Sequence, residues 1–330
     1  MKSLSRIVAI AILLMLVVGP VIPMAAQDDT PETETYGMVV FLRGSEFFNW
    51  AYAGMLDAAE RIGPHVEVQL VGPAEWDASL QARDISQLQA RGVDGILATA
   101  GDAQTMNSAI DDAVAAGIPV VLFDSDAPES DRLAFVGTNN YNAGCSAGEA
   151  VAEWLGDEAR VGVSTFPGPD HLAQRVAGFE DCLLAAAPGA EIVQVVNDEG
   201  RVDGAETAIT AMLQANPTIN VIFAAHGNPG PGAAAAVRNL GLVGEIDIMG
   251  FDFGLPVLEL IQSGEIRATV GQNPYLMGYM SMMIAYGARH ETDVTMGTGF
   301  GPYPTLVDTG VQILGPDDIA PFMNPPSFDD

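Results

Sequence analysis

The stretch VDGILATAGDAQTMNSAIDDAVAAGIPVVLFDSDAP, Val93 to Pro128, contains one complete strand–helix–strand unit. Gly95–Ala98 and Pro119–Phe123 are short apolar runs of strand length, and the Ala-rich segment 103–116 between them is long enough for a crossover helix, with Gly117 where that helix should stop. Two parallel strands need a crossover of this kind, whereas antiparallel strands can be joined by a tight turn. The same rhythm runs toward the amino terminus, with strands at Met38–Leu42 and Val66–Val71, helices near 47–62 and 77–91, and helix-ending glycines at Gly63 and Gly92. Beyond Leu133–Gly137 it restarts, with strands at Arg160–Ser164, Ile192–Val196, Val221–Ala224, Asp247–Phe251 and Ala268–Val270. The expected fold class is α/β, as two doubly wound parallel-sheet lobes.

At the amino end, Lys2 and Arg6 precede an apolar run, Ile7–Val18, then a Gly19-Pro20 break and the small residues Ala25 and Ala26. Residues 1–26 therefore read as a secretory signal peptide. The run is too short for a spanning helix, and no cysteine near the cleavage site could carry a lipid. The mature protein is expected to be exported, periplasmic and soluble. Gln27–Tyr36 reads as a polar linker and Pro316–Asp330 as a loose Pro- and Asp-rich tail.

Acidic residues number 43 against 13 Lys and Arg, a net charge of −30, and Lys2 is the only lysine. Affinity for nucleic acid or an anionic membrane comes from Lys and Arg at phosphates, so neither partner is expected. Such a self-repelling surface favours a soluble monomer. His65, His171, His226 and His290 are scattered singly, so no metal is expected. Export permits a disulfide between Cys145 and Cys182; the alternative is two separate buried thiols.

A nucleotide enzyme is the natural rival for such a fold. The first strand-to-helix turn, FLRGSEFFNW from Phe41 to Trp50, has one glycine where a dinucleotide fingerprint has three, and the chain contains no phosphate-binding loop and no G-x-S-x-G elbow. No cofactor and no catalysis are expected. Instead, the turns after the strands carry Phe47-Phe48, Asp124-Ser125-Asp126, Asp252 and Gln272-Asn273, while Arg175 lies in HLAQRVAGF. Carboxylates, amides and a guanidinium meeting at facing strand ends make directional hydrogen bonds to a polyhydroxyl compound, and aromatic rings cover its C–H faces.

With these residues in place, the chain resembles the periplasmic sugar-binding proteins of ABC importers, the ribose-binding type that shares its fold with the ligand domain of lac-type repressors. The resemblance spans roughly Tyr36 to Ala288 and rests on SEFFNW at Ser45–Trp50, VDGILATAGDA at Val93–Ala103, AGIPVVLFDSDAP at Ala116–Pro128, VGTNNYNAG at Val136–Gly144, RVAGF at Arg175–Phe179, MGFDF at Met249–Phe253 and VGQNPYLMG at Val270–Gly278. It implies that Phe47 and Phe48 stack on the ligand, that Asp124, Arg175, Asp252 and Gln272 bind its hydroxyls, and that Ser45 adds a polar contact. The chain departs from the pattern where His226, with Asn228 two residues on, replaces a binding Asn, where Thr99 replaces an amide, and where Gly200-Arg201 replaces an aromatic.

The resemblance further implies a type I periplasmic binding protein fold whose lobes are joined by a three-segment hinge, with crossings near 137, 271 and 300. The first lobe would be 37–137 plus 272–299, and the second 138–271 plus 300–315. The expected function is capture of a monosaccharide or polyol for delivery to a membrane permease. The rival classes are an envelope chemoreceptor or quorum-signal receptor and, after it, a sugar-acting enzyme.

Overall fold

The computed structural model describes residues 32–290 and 303–328. The expected signal peptide and the first part of the expected linker lie outside the described residues. The first lobe is built from β1 (Glu34–Val39), α1 (Glu46–Ile62), β2 (Val66–Val71), α2 (Ala78–Arg91), β3 (Gly95–Ala98), α3 (Ala103–Ala115), β4 (Val120–Phe123) and β5 (Ala134–Gly137). The second contains α4 (Asn140–Leu155), β6 (Arg160–Thr165), α5 (Asp170–Ala186), β7 (Glu191–Asn197), α6 (Val202–Ala215), β8 (Val221–Ala224), α7 (Pro229–Asn239), β9 (Asp247–Phe251), α8 (Leu255–Gln262) and β10 (Ala268–Gly271). The chain then returns through α9 (Pro274–His290), β11 (Leu306–Asp308) and β12 (Gln312–Leu314).

The strands form two six-stranded sheets, ordered β11-β5-β4-β3-β1-β2 and β12-β10-β9-β8-β6-β7. Every described pairing is parallel except β10 with β12. Strands β3, β4, β5, β8 and β10 are buried along their whole length, as a sheet covered by helices on both faces requires. In the first lobe Met55, Met277 and Met282 pack on one face of the sheet and Ile85, Leu88 and Ile110 on the other.

Two helix pairs fix the geometry of the cleft. A Cβ on Gly54 would come within 1.9 Å of the Tyr275 carbonyl, and one on Gly278 within 1.8 Å of that of Ala51, so α1 and α9 touch backbone to backbone. In the second lobe α4 and α5 do the same, because a Cβ on Gly144 would meet the Arg175 carbonyl at 1.9 Å and one on Gly178 the Tyr141 carbonyl at 2.0 Å. That close approach brings Cys145 and Cys182 to a Cα separation of 5.0 Å, and they are bridged.

Three expectations need correction. Strand β1 begins at Glu34, inside the expected linker: Tyr36 is fully buried and pairs with Val68 and Gly95, so the polar Glu34 and Thr35 belong to the sheet. The third crossing is not near 300. Leu306–Asp308 lies in the first sheet beside β5, and Gln312–Leu314 in the second beside β10, so the chain crosses at Thr309–Val311. The segment after Pro316 is docked rather than loose: Ile319 joins the second lobe's core, Phe322 lies against Trp50 and Phe253, and Phe328 against Tyr52.

Hydrogen bonds tie the three crossings together. Thr138 donates to the Gln272 side chain at 2.7 Å, Thr309 N–H to the Gly137 carbonyl at 2.8 Å, and Asn139 N–H to the Asp308 carboxylate at 3.0 Å.

Candidate functional site

Doubly wound sheets present ligands at the carboxyl ends of their strands, and here those ends of the two lobes face each other. Asp124 directly follows β4 and Asp252 directly follows β9, and both adopt left-handed backbone, φ 61° and 63°. Aspartate tolerates that region better than most residues. The two positions are counterparts: Asp124 N–H bonds the Val136 carbonyl in the neighbouring strand, and Asp252 N–H bonds that of Val270.

Arg175 projects from the first turns of α5 and is 6% exposed. Its Nε donates to Asn140 at 2.9 Å, its Nη1 to the Ala225 carbonyl at 3.1 Å, and its guanidinium lies 3.7 Å from the centre of the Phe251 ring. A stacked, two-point-anchored guanidinium is a preorganised fork. Burial lowers its pKa, while Asp252 and Asp124 oppose that shift. Arg175 thus sits within electrostatic reach of a carboxylate from each lobe.

Burial pushes the Asp124 carboxyl up, to about 6, and the Asp252 charge adds to the shift; the Ser125 and Thr99 hydroxyls and Arg175 pull the other way. Ser125 donates to Asp124 Oδ2 at 3.0 Å, and the fully buried Thr99 does so at 3.4 Å. Asp252 Oδ1 accepts from Gln272 Nε2 at 2.8 Å, and because Gln272 also accepts from Thr138, the site is wired directly to the hinge.

Five of the expected residues, Thr99, Asp124, Arg175, Asp252 and Gln272, are therefore gathered into one polar cluster. Phe47 is half-buried, while Phe48 is 3% exposed and packs edge-on against Phe41, Phe47 and Phe123 in the first lobe's core. Ser45 precedes α1 and makes no side-chain cap. His226 places Nε2 3.1 Å from both oxygens of the buried Asp198. Asn228 is exposed and donates to the Gly200 carbonyl at 2.7 Å.

Sequence reasoning missed Asn140, Asp198 and the placement of His171. Asp198 follows β7 directly, so the strand-end rule that picked Asp124 would have found it. His171 lies one turn before Arg175; surrounding protein, then the charges of Arg175 and His226, bring its pKa down to about 4, although the residue as a whole remains exposed. Glu46 was also missed: its carboxylate accepts the Leu255 N–H at 2.9 Å, capping α8 of the opposite lobe, whose own N-cap, Gly254, has no side chain to do so.

A cavity of about 400 Å³ opens beside the hinge, lined by Trp50, Phe253, Gln272, Thr309, Val311 and Phe322 among others. It shares only Gln272 with the polar cluster and lacks the charged groups that would orient a ligand. No described helix is long and apolar enough to cross a membrane. The one described group of residues spaced to hold a metal is Cys145, Glu149 and Cys182, and its two thiols are spent in the disulfide.

The family model for the periplasmic binding protein domain matches residues 36–290. The fold is similar to that of AraP, an arabinose-binding protein from Geobacillus stearothermophilus, with a TM-score of 0.85 and 33% identity, covering 88% of this chain and 99% of that one. It is also similar to the sugar-binding protein of a sugar ABC transporter from Bacillus halodurans, TM-score 0.82 and 34% identity, covering 88% of this chain and 100% of that one. The ribose import binding protein RbsB of Bacillus subtilis is 28% identical over 261 residues, 79% of this chain and 83% of the relative.

Proposed function

Because the chain belongs to the periplasmic binding protein domain family, we propose that it captures a monosaccharide or polyol between its two lobes and presents it to the permease of an ABC importer. The observation that carries this reading is the Asp124–Arg175–Asp252–Gln272 cluster, which draws acceptors and donors from both lobes and the hinge onto one point. Charged groups held by hydrogen bonds form the stronger, directional contacts that vicinal hydroxyls demand.

The mechanism is closure. A ligand held by Arg175 and Asp252 in the second lobe gains Asp124 and Phe47 only when the first lobe swings over it, and those additional contacts shift the equilibrium toward the closed form. The cap that Glu46 of α1 places on α8 across the lobes acts in the same direction. No bond is made or broken, the receptor works as a soluble exported monomer without metal or cofactor, and the closed form is what the permease recognises.

A thermal-shift screen over pentoses, hexoses, polyols, sugar acids and amino acids tests the reading. A neutral sugar or polyol should raise the melting temperature in a concentration-dependent way, about 2.7 kcal/mol of stabilisation at a hundredfold excess over Kd. No response to any sugar or polyol, with a strong response to amino acids, overturns it.

A further inference from the structure

The mouth of the cleft carries an aromatic side chain that the polar site leaves unused. In the first sheet β5 and β11, which lead into crossings, lie on one side, and β2 is the opposite edge. The loop after β2 is therefore the lip of the first lobe farthest from the hinge, and it carries Trp76, 62% exposed. The chain has three tryptophans. Trp50 packs against Phe253 and Phe322, and the Arg267 guanidinium lies 4.4 Å from the centre of the Trp154 ring. Trp76 has neither a ring nor a cation against it among the described residues, and its Nε1–H has no hydrogen-bond partner there.

The exposed indole is nonetheless fixed. Its Nε1 edge lies over Gly101, where an added Cβ would come 3.1 Å from Trp76 Nε1, 3.1 Å from Phe41 Cβ and 2.9 Å from Gln81 Oε1. Gln81 is fully buried; its Oε1 accepts the Gly101 N–H at 3.1 Å, and its Nε2 donates to the Thr99 carbonyl. Trp76 and Gly101 each directly precede an aspartate cap, Asp77 on α2 and Asp102 on α3, so both loops are pinned where they enter their helices. Thr99 in turn donates to Asp124 at 3.4 Å. From Thr99 to Gly101 the chain spans at most about 7 Å, so the indole and the polar cluster lie within reach of one elongated ligand.

We propose that Trp76 is the platform of a second sugar subsite. The ligand is then a disaccharide, with one ring in the Asp124–Arg175–Asp252–Gln272 cluster and the other stacked on the indole at the cleft mouth. The subsite rests on the carbohydrate reading above and extends it from one ring to two. Charge around the indole favours a sugar over an apolar partner. Glu75 and Asp77 flank Trp76 in the chain, Asp102 follows Gly101, and Arg43 donates its N–H to the Pro73 carbonyl at 2.9 Å; all four side chains are exposed. A lone indole among charged groups suits a molecule with a C–H face rimmed by hydroxyls, whereas a lipid or an apolar peptide would bury those charges unpaired. A second ring leaving through the mouth, away from the hinge, does not obstruct closure.

Calorimetric titration with D-xylose, D-galactose, D-glucose and L-arabinose, and with xylobiose, galactobiose, cellobiose and arabinobiose, tests the subsite. At least one disaccharide should bind about five- to twentyfold more tightly than its own monosaccharide, the gain from covering an aromatic face. Trp76→Ala should remove that gain and leave the monosaccharide within about twofold of wild type, and Trp76→Phe should restore part of it. Tryptophan emission of the wild-type protein should move to shorter wavelength with the disaccharide more than with the monosaccharide, a difference that Trp76→Phe abolishes. Melting temperatures of the unliganded variants control for folding, which an exposed loop side chain leaves intact. If no disaccharide binds more tightly than its monosaccharide, or if the gain survives Trp76→Ala, the subsite is overturned while monosaccharide binding upholds the carbohydrate reading. Failure of the wild-type protein to bind any of the eight compounds overturns the subsite as well, and the thermal-shift screen above then decides the carbohydrate reading by itself.

Discussion

Asp124 is a carboxylate that the unliganded fold holds at a cost, so Asp124→Asn should stabilise the empty protein while impairing its function. The folded-state pKa of about 6 against the ordinary 3.8 is a shift of roughly two units, or about 3 kcal/mol at about 1.4 kcal/mol per unit. For an acid whose folded pKa is raised, the folded state binds the proton more tightly, so stability is greatest below the unfolded value and is lost as pH rises through about 6. An amide of the same shape keeps an acceptor for Ser125 and avoids the ionisation cost. The mutant should therefore gain about 1–3 kcal/mol at pH 8, a few degrees in melting temperature for a chain of this size, and almost nothing at about pH 2.5, where the wild-type carboxyl is largely protonated in both states. Urea denaturation of both proteins across this pH range, without sugar, measures the effect. A mutant less stable than wild type at pH 8, or a difference independent of pH, would refute the reasoning that burial strains this carboxylate.

Arg175→Ala should weaken sugar binding about ten- to hundredfold, the loss of a charged hydrogen bond, with circular dichroism as the folding control; unchanged affinity would remove Arg175 from the site. Glu46→Gln keeps the size of the side chain but weakens the cap on α8 across the lobes, so sugar dissociation in stopped flow should accelerate about two- to fivefold, in line with a charge at a helix N-terminus; an unchanged off-rate would show that the contact has no part in closure. Replacing both Cys145 and Cys182, which are 37 residues apart, with serine should cost about 3–4 kcal/mol of stability by loop-closure entropy, measured by denaturant titration, with sugar affinity within about twofold of wild type.

The parallel-sheet order was legible because apolar runs separated by helix-length segments admit few other arrangements, and Val66–Val71, Gly95–Ala98, Val221–Ala224 and Asp247–Phe251 fall where the sequence places them. β1 was displaced because Glu34 and Thr35 look like linker and become strand only through their pairing with Val66 and Glu67. The third crossing was misplaced because three-residue strands such as Leu306–Asp308 leave no periodicity to read. The tail's docking depends on Ile319, Phe322 and Phe328 meeting residues far away in the chain, which no local pattern reveals. Within the site, Asp124 and Asp252, which directly follow fully buried or nearly fully buried strands, were found, whereas Asp198, after the largely exposed β7, was not. Partners on helices, such as Asn140 and Glu46, were not, because their role exists only across elements.

The central claim is that a sugar lies between the lobes, with Asp124 contacting it from one side and Arg175 and Asp252 from the other. A crystal structure of the protein grown with the sugar that most raises its melting temperature tests this most directly. The account predicts sugar hydroxyls within hydrogen-bonding distance of the Asp124 and Asp252 carboxylates, the Arg175 guanidinium and the Gln272 amide. A sugar seated instead in the hinge-side cavity between Trp50, Phe253 and Phe322, or bound with none of these four side chains in contact, would contradict it.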